Sequence, residues 1–398
     1  MTIAIFASRK TQRQYALTLS KYISDVSGNK PLVLWYKDLI NVKSYFKALL
    51  SPKVDELDEA VTEILTEKRN HPKYRHSGLI YWFFLKVLKY FEARFLYSSY
   101  RCCFLDENVD QLIIWNGLKF RQRIAVIAAK QLNIPCYFIE RGALPGTTTL
   151  DSKGINYINS VPRGPLFYLN RNIQKPSTHV VNTVAVKDQL PREYIFVPFQ
   201  VNIDSQITMF SPWIENMFTL VDKILEVESI LGEAMPNIVL KTHPACEQSY
   251  EDLFKYIARK SQKIMVVNDL DTETLIDKSK AVMTINSSVG MEALLMRKKV
   301  IVLGQAFYNI QGITRAATSI AGLSEEIRKI DNWLPNEQLT ASFLDYLEHE
   351  YVVEGTWHQP DSKHLLSMVN RLELLMASGI VRHQGYAKSH TGSLKLRT

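Results

Sequence analysis

The sequence predicts an α/β protein with two doubly wound, mainly parallel sheets. Three observations carry this. Short β-rich apolar runs alternate with helical stretches along most of the 398 residues, the pattern of βαβ units. Several runs are apolar throughout, as expected of parallel strands covered on both faces. An irregular stretch at 150–187, holding several Asn, Pro and Gly residues, divides the alternation into two series.

The first unit covers 1–187. Its strands are expected at Ile3–Ala7, Pro31–Tyr36, Gln111–Trp115 and Pro135–Ile139, with a helix over Gln122–Leu132 and a helical insertion at about 38–105. The second unit covers 188–325. Its strands are expected at Tyr194–Pro198, Asn237–Lys241, Lys263–Val267, Ala281–Ile285 and Val300–Leu303. Helical patterns fall between them at Ser211–Leu231, Tyr250–Lys260, Asp271–Lys278 and Val289–Met296. Helices over Glu337–Leu347 and Asp361–Ala377 fill 326–379, and a basic, Gly/Ser/His-rich tail at 380–398 is expected to fray.

Composition narrows the function classes. With 46% hydrophobic and 22% charged residues, the chain is neither disordered nor a coiled-coil rod. Four cysteines, at 102, 103, 136 and 246, show no disulfide framework and no zinc spacing, so a reducing compartment is expected. The start, MTIAIFASRK, lacks the basic lead and long apolar run of a signal peptide, which points to a cytoplasmic chain. No uninterrupted apolar stretch of ~18 residues is present.

The net charge of +8 is concentrated. Residues 68–101 hold eight Lys/Arg against the single acid Glu92, and 380–398 hold Arg382, Lys388, Lys395 and Arg397 with no acid. A nucleic-acid binder carries a basic face across its fold, so none is expected as a partner. The first basic segment is crowded with Trp, Phe, Tyr and Leu, which fits an anionic membrane surface; a partly buried helix with a solvated basic edge is the plainer alternative.

Two α/β units place a ligand cleft between the carboxyl ends of their sheets, a GT-B-like arrangement of Rossmann-like domains. Five motifs fall at such ends. In Ile238-Val-Leu-Lys-Thr-His-Pro244 an apolar strand runs into Lys241 and His243, which together can neutralise a phosphate. In Thr284-Ile-Asn-Ser-Ser-Val-Gly-Met-Glu292 a strand ends at Asn286 and a helix begins at Ser287 or Ser288, with Glu292 in its first turns. Free backbone N–H groups there make an anion site, although an ordinary capped loop reads the same way.

Glu140 of Phe138-Ile-Glu-Arg-Gly142 closes a strand beside a glycine and is a candidate general base; a salt bridge to Arg141 is the alternative. Gln200, Asn202, Asp204 and Ser205 follow the strand Tyr194–Pro198 at the domain junction. Asp204 either caps a helix or supplies a second carboxylate facing Glu140. Gly304 and Tyr308 lie in Val300-Ile-Val-Leu-Gly-Gln-Ala-Phe-Tyr308. Asp269-Leu-Asp271 has the shape of a metal–diphosphate motif, but helix capping accounts for both acids, and no metal or other cofactor is expected.

These blocks, taken in order, resemble the bacterial capsule-polysaccharide biosynthesis family of Kdo transferases. They are Glu140-Arg-Gly with Asp151 and Gly154-Ile-Asn156, then Pro198-Phe-Gln-Val-Asn-Ile-Asp-Ser-Gln206, Lys241-Thr-His-Pro244, Asn286-Ser-Ser-Val-Gly290 and Gly304-Gln-Ala-Phe-Tyr308. They span about 110–315. Arg141 stands where some relatives have Glu, and Thr242 where some have a second His. The resemblance implies a retaining β-Kdo transferase using CMP-Kdo on a membrane-linked capsule or lipopolysaccharide O-antigen glycan, alongside other glycan-assembly enzymes.

Under it, Asp204, Glu140 and His243 are the catalytic candidates. Lys241, His243, Asn286, Ser287, Ser288, Glu292 and Gln200 are the donor-binding candidates. Arg141, Arg121 and Arg123 are candidates for the sugar carboxylate. CMP-Kdo carries one phosphate, which one Lys/His/Ser cluster can balance without a metal. The His-Pro and Ser-Ser elements also resemble CMP-sialic-acid transferases, and a non-catalytic scaffold of an envelope-glycan complex is a third reading.

Overall fold

The computed structural model describes residues 1–40, 54–74, 76–173 and 190–390, with side chains as far as 378. It contains two six-stranded sheets. The first unit runs β1 (Ile3–Ala7), α1 (Lys10–Ser27), β2 (Leu32–Trp35), α2 (Asp55–Asn70), α3 (Leu79–Asp106), β3 (Gln111–Trp115), α4 (Phe120–Gln131), β4 (Cys136–Arg141), β5 (Thr147–Asp151) and α5 (Pro165–Leu169).

The second unit runs β6 (Tyr194–Pro198), α6 (Ser205–Phe210), α7 (Met217–Leu231), β7 (Asn237–Lys241), α8 (Glu251–Lys260), β8 (Ile264–Val266), α9 (Thr272–Lys278), β9 (Ala281–Thr284), α10 (Ser288–Leu295), β10 (Lys299–Val302), β11 (Arg315–Ala316) and α11 (Ile320–Lys329). The chain closes with α12 (Glu337–Tyr346), β12 (Val352–Glu354) and α13 (Ser362–His390).

The second sheet has the order β11-β10-β9-β6-β7-β8, parallel at every pairing. Counted from β6, this is the doubly wound 3-2-1-4-5-6 order, which reverses direction between β6 and β9. Both faces are covered, which explains the fully apolar strands. Ile195, Val197, Ile238 and Met283 face one core; Phe196, Val239, Val282 and Val300 face the other.

At the reversal the loops after β6 and β9 are joined by a buried amide pair. Gln200 Nε2 donates to Asn286 Oδ1 at 2.9 Å, and Asn286 N donates to Gln200 Oε1 at 3.2 Å. Asn286 Nδ2 donates to the carbonyls of Gln206 (2.8 Å) and Phe210 (3.1 Å), holding both ends of α6.

The first sheet has the order β12-β5-β4-β3-β1-β2. Strands β1 to β4 are parallel, as the sequence suggests, whereas β5 runs antiparallel to both of its neighbours, β4 and β12. Three strands depart from expectation. The stretch 150–187 begins inside β5, a hairpin partner of β4, and continues through α5; its residues 174–189 lie outside the described residues. The two-residue β11 is too short for any periodicity. Strand β12 brings the C-terminal segment back to the first sheet, and Leu365, Met368, Val369 and Leu372 of α13 pack on Ile3, Ile5, Ile113 and Tyr137. The helix expected over Ser211–Leu231 begins only at Met217, because Pro212 removes a donor and Asn216 caps the start at Thr219 N; a separate short helix, Ser205–Phe210, precedes it. Within the expected tail, α13 continues to His390; its side chains from 379 and residues 391–398 lie outside the described residues.

The returning helix is pinned by one buried histidine. His364 Nδ1 donates to Glu354 O at 2.8 Å, so Nε2 is the acceptor of the Tyr15 hydroxyl at 2.8 Å. Burial pushes the His364 pKa below the ordinary value, ahead of smaller opposing contributions from Glu354 O and Asp361. The folded state therefore holds His364 neutral, and the stability it lends is lost as pH falls below the ordinary histidine range of about 6.5. Thermal melts between neutral and mildly acidic pH should show a falling midpoint, with a shallower slope in His364→Gln. Separately, Asn286→Ala strands Gln200 Nε2 and removes a donor from the Gln206 and Phe210 carbonyls, although Phe210 O keeps Gln305 N and Gln200 Oε1 keeps the backbone N–H of residue 286. At about 1–3 kcal/mol per stranded buried group, urea unfolding should report a loss of about 1–3 kcal/mol.

Candidate active site

The carboxyl edges of the two sheets enclose a cavity of about 570 Å³. First-unit residues lining it include Asn116, Lys119, Glu140 and Arg141; second-unit residues include Gln200, Asp204, His243, Asn286, Ser287, Ser288 and Glu292, while Tyr351 comes from the returning C-terminal segment. The fold thus gathers nine of the sequence-derived candidates around one space.

Glu140 ends β4 and is half-buried. Its Oε2 accepts from Asn116 Nδ2 at 2.7 Å and its Oε1 from the Arg141 N–H at 3.0 Å. Burial raises its pKa above the usual carboxylate range. The two hydrogen bonds pull the other way, and the negative charge of Asp204 adds to the rise. The Asp204 charge is therefore felt at Glu140 across the cleft. The salt-bridge alternative for Glu140 is not what holds it: Arg141 reaches it through its backbone.

Asn116 was not among the sequence candidates, although the Asn116-Gly117 pair directly after a strand is a turn signal. Asn116 takes a left-handed backbone (φ 60°), followed by Gly117 at φ 80°. Its Oδ1 accepts from Leu118 N and Lys119 N at the approach to α4. That leaves its amide N–H free to hold Glu140.

Asp204 is both things the sequence allowed. It is the N-cap of α6, with Oδ1 accepting from Gln206 N at 2.9 Å, and it is an exposed wall of the cavity. Lys119 Nζ donates to the neighbouring Ile203 carbonyl at 3.3 Å and pairs with Glu67 of α2 at 3.1 Å, tying the helical insertion to this loop.

His243 follows β7. Its Nδ1 accepts from Ala245 N at 3.1 Å, so the neutral ring carries its proton on Nε2 and can donate there without becoming a cation. Ser287 caps α10 by accepting from Val289 N at 3.2 Å, and exposed Ser288 opens the helix. Val289 N and Gly290 N bond to Ser287, and the positive end of the helix dipole together with the Ser288 hydroxyl favours an anion. Tyr308 closes in beneath them, its hydroxyl donating to Ser287 O at 2.6 Å. Gly290 permits this, since a Cβ there would stand 2.4 Å from the Tyr308 oxygen. Glu292 has its pKa raised by burial, against the opposing positive charge of Arg141 across the cleft. Gln200 and Asn286 line the space, but their amides bind each other, so they shape it.

Three candidates lie elsewhere. Lys241 Nζ donates to the carbonyls of Asn268 (2.9 Å) and Leu270 (2.6 Å), because the strand's alternation turns it toward the next loop. Arg121 sits over the Tyr36 ring near Glu92, and Arg123 pairs with Glu59 and Glu63, so both hold the helical insertion to α4. Arg141 is the one arginine of the three at the cleft. Asp151 is architectural: buried, it accepts from Lys153 N, Gly154 N, Ser160 and the Tyr351 hydroxyl. Asp271 caps α9 through Thr274 N at 2.7 Å, and these bonds lower its pKa. Among the described residues no cluster of three or more His, Cys, Asp or Glu side chains is arranged to hold a metal.

Residues 173–357 match the family described as capsule polysaccharide biosynthesis protein. Protein FixF of Sinorhizobium fredii is 34% identical over 262 residues, covering 63% of this chain and 62% of that protein. The capsule polysaccharide export protein KpsS of Escherichia coli is 33% identical over 135 residues, 32% of this chain and 34% of that one. The chain thus spans less than two thirds of the length of either relative. The solved KpsC β-Kdo 2,7 transferase of Thermosulfurimonas dismutans aligns over 69% of this chain and 89% of its own, with 17% identity and a TM-score of 0.42. Four of the five motif blocks, from Pro198 to Tyr308, fall inside the matched segment, and Glu140 lies before it. Across residues 173–357, just under half of its length, this chain is similar to the capsule polysaccharide biosynthesis family.

Proposed function

We propose that the protein is a retaining β-Kdo glycosyltransferase. It moves Kdo from CMP-Kdo to a membrane-linked capsule or O-antigen glycan at the inner face of the cytoplasmic membrane. The observation that carries the reading is the pairing of Glu140 and Asp204 from opposite domains across a cavity that also presents a helix N-terminus and the His243 Nε2–H. The motif blocks support the choice of donor. In this reading the CMP phosphate sits at the first turn of α10, with Ser288 and His243 donating to it, and Arg141 meets the sugar carboxylate.

Retention follows from two inversions. Asp204 attacks the anomeric carbon as the bond to phosphate breaks, and CMP leaves with the electron pair. The acceptor hydroxyl then displaces Asp204 from the opposite face and gives its proton to Glu140. Burial of Glu140 beside another acid suits it to hold that proton. The positively polarised helix end and the His243 Nε2–H stabilise the departing phosphate as charge develops on it.

Product analysis with CMP-Kdo, CMP-sialic acid and a panel of synthetic acceptors tests the donor assignment. Transfer from CMP-sialic acid alone would move the assignment to the sialyl donor, and transfer from neither would favour a scaffold. Asp204→Asn keeps the cap on α6 but removes the nucleophile. It should fold normally, bind CMP and lose transfer by at least ~10³-fold. Near wild-type rates would refute the nucleophile. In Glu140→Gln supplied with CMP-Kdo, intact-protein mass spectrometry should show one added Kdo, mapping to Asp204.

The pH profile supplies a further check. Glu140 must be ionised to act as base, so kcat/KM should fall as pH drops through its raised pKa, on the acid limb. Asn116→Gly keeps the left-handed backbone while deleting the hydrogen bond that lowers that pKa. The acid limb should then move to higher pH; an unmoved limb would assign it to another group.

A further inference from the structure

Helix α3 has two unlike halves. From Ala93 onward its side chains Leu96, Tyr97, Tyr100 and Phe104 are buried against the first sheet. Its first half projects, and there Leu79, Ile80, Phe83, Phe84, Val87, Leu88 and Phe91 are between 37% and 89% exposed. Their spacing of three and four residues gathers them into one stripe covering about half of the helix circumference. An uncovered stripe of this size is unusual on a soluble face.

The surroundings indicate what covers it. A turn at Pro72–Tyr74 precedes the stripe, and aromatic and basic groups interleave there. Lys68 Nζ lies 4.7 Å and Lys73 Nζ 5.8 Å from the Tyr74 ring centre, and the Arg69 guanidinium lies 5.2 Å from that of Trp82. Tyr74 stacks on Tyr81. The single acid of 68–101, Glu92, already pairs with Lys89 and approaches Arg121 at 3.9 Å. An apolar stripe rimmed by Trp, Tyr and unopposed cations matches a surface with an apolar interior and anionic headgroups. Among the described residues no helix is long and apolar enough to cross a membrane.

We propose that the first half of α3 inserts in the plane of an anionic phospholipid bilayer, with its stripe among the acyl chains and Lys68, Arg69, Lys73 and Lys86 at the phosphates. The inference names the docking element and does not depend on which donor the cleft uses. It bears on the cleft all the same. Asn70, at the end of α2, donates to Asn202 O at 3.3 Å in the loop that carries Asp204. A glycan held at the membrane would thus meet the cleft from the side of the insertion.

Vesicle flotation of the full chain tests this, with phosphatidylcholine alone against phosphatidylcholine plus phosphatidylglycerol, at low and high salt. The wild type should float with the anionic vesicles. The exposed triple variant Phe83→Ser, Phe84→Ser, Leu88→Ser should keep its melting temperature and bind at least ~30-fold more weakly. Lys68→Gln, Arg69→Gln, Lys73→Gln should lose about 10- to 100-fold at low salt and become less salt-sensitive. Absence of wild-type binding at either salt overturns the proposal, as does a triple apolar variant that floats like the wild type. Concentration-dependent self-association abolished by that variant, without vesicle binding, would assign the stripe to a second copy instead. None of these readouts involves sugar transfer, so they stand apart from the fate of the CMP-Kdo reading.

Discussion

The pairing of Gln200 with Asn286 is the constraint on which the rest of the site depends. A doubly wound sheet parts its loops where strand order reverses, and that gap is what a ligand uses. Here the gap is spanned at its base by the buried Gln200 amide, which bonds both the side chain and the backbone N–H of Asn286. Asn286 also holds the carbonyls of Gln206 and Phe210, so the short helix α6 cannot shift without stranding polar groups out of water. Asp204 at one end of that helix and Ser287 beside Asn286 are placed by the same knot. Close packing of Tyr308 over Gly290 then sets the first turn of α10.

Across the cleft the positioning follows another logic. Glu140 belongs to a strand end, but its hydrogen bonds come from Asn116 on the neighbouring strand's turn and from its own chain. A left-handed residue is needed for that reach, and Asn tolerates it better than most. The result is an acid with a raised pKa facing a second acid, beside a histidine whose tautomer a backbone N–H has chosen. Positive character is supplied by the helix end, by Arg141 and by Lys119, so each wall of the space carries both signs of charge.

The two units are also joined away from the cleft. After the second sheet the chain returns, adds β12 to the first sheet and lays α13 over β1 and β3. Tyr351, on this return, donates to buried Asp151 and lines the cavity, so the strap and the site share a residue. The helical insertion is tied to the Asp204 loop through Lys119, Glu67 and Asn70. Whatever the exposed half of α3 rests on is therefore mechanically close to the proposed chemistry.

Much of this was legible in the sequence. Continuous apolar runs such as Tyr194–Pro198 and Asn237–Lys241 marked buried parallel strands, and strand-to-helix junctions marked Glu140, Asp204, His243 and Ser287 as residues at sheet edges. Those are local properties, set by periodicity, proline and capping chemistry. What a side chain does at such an edge is not local. Lys241 looked like a phosphate ligand until the fold brought two carbonyls of the 268–270 loop within its reach. Arg121 and Arg123 found acidic and aromatic partners on the helical insertion, distant in sequence. Strand β12 could not be read from three residues of ordinary polarity, because an edge strand is defined by its neighbour's open hydrogen bonds. Composition marked 68–101 as basic and aromatic, but only packing decided that Leu96 and Tyr100 are core while Phe83 and Phe84 are left facing out. Sequence determines which groups are present and how each segment is inclined to fold; long-range contact determines which of those groups remain unpaired, and unpaired groups are the ones available for function.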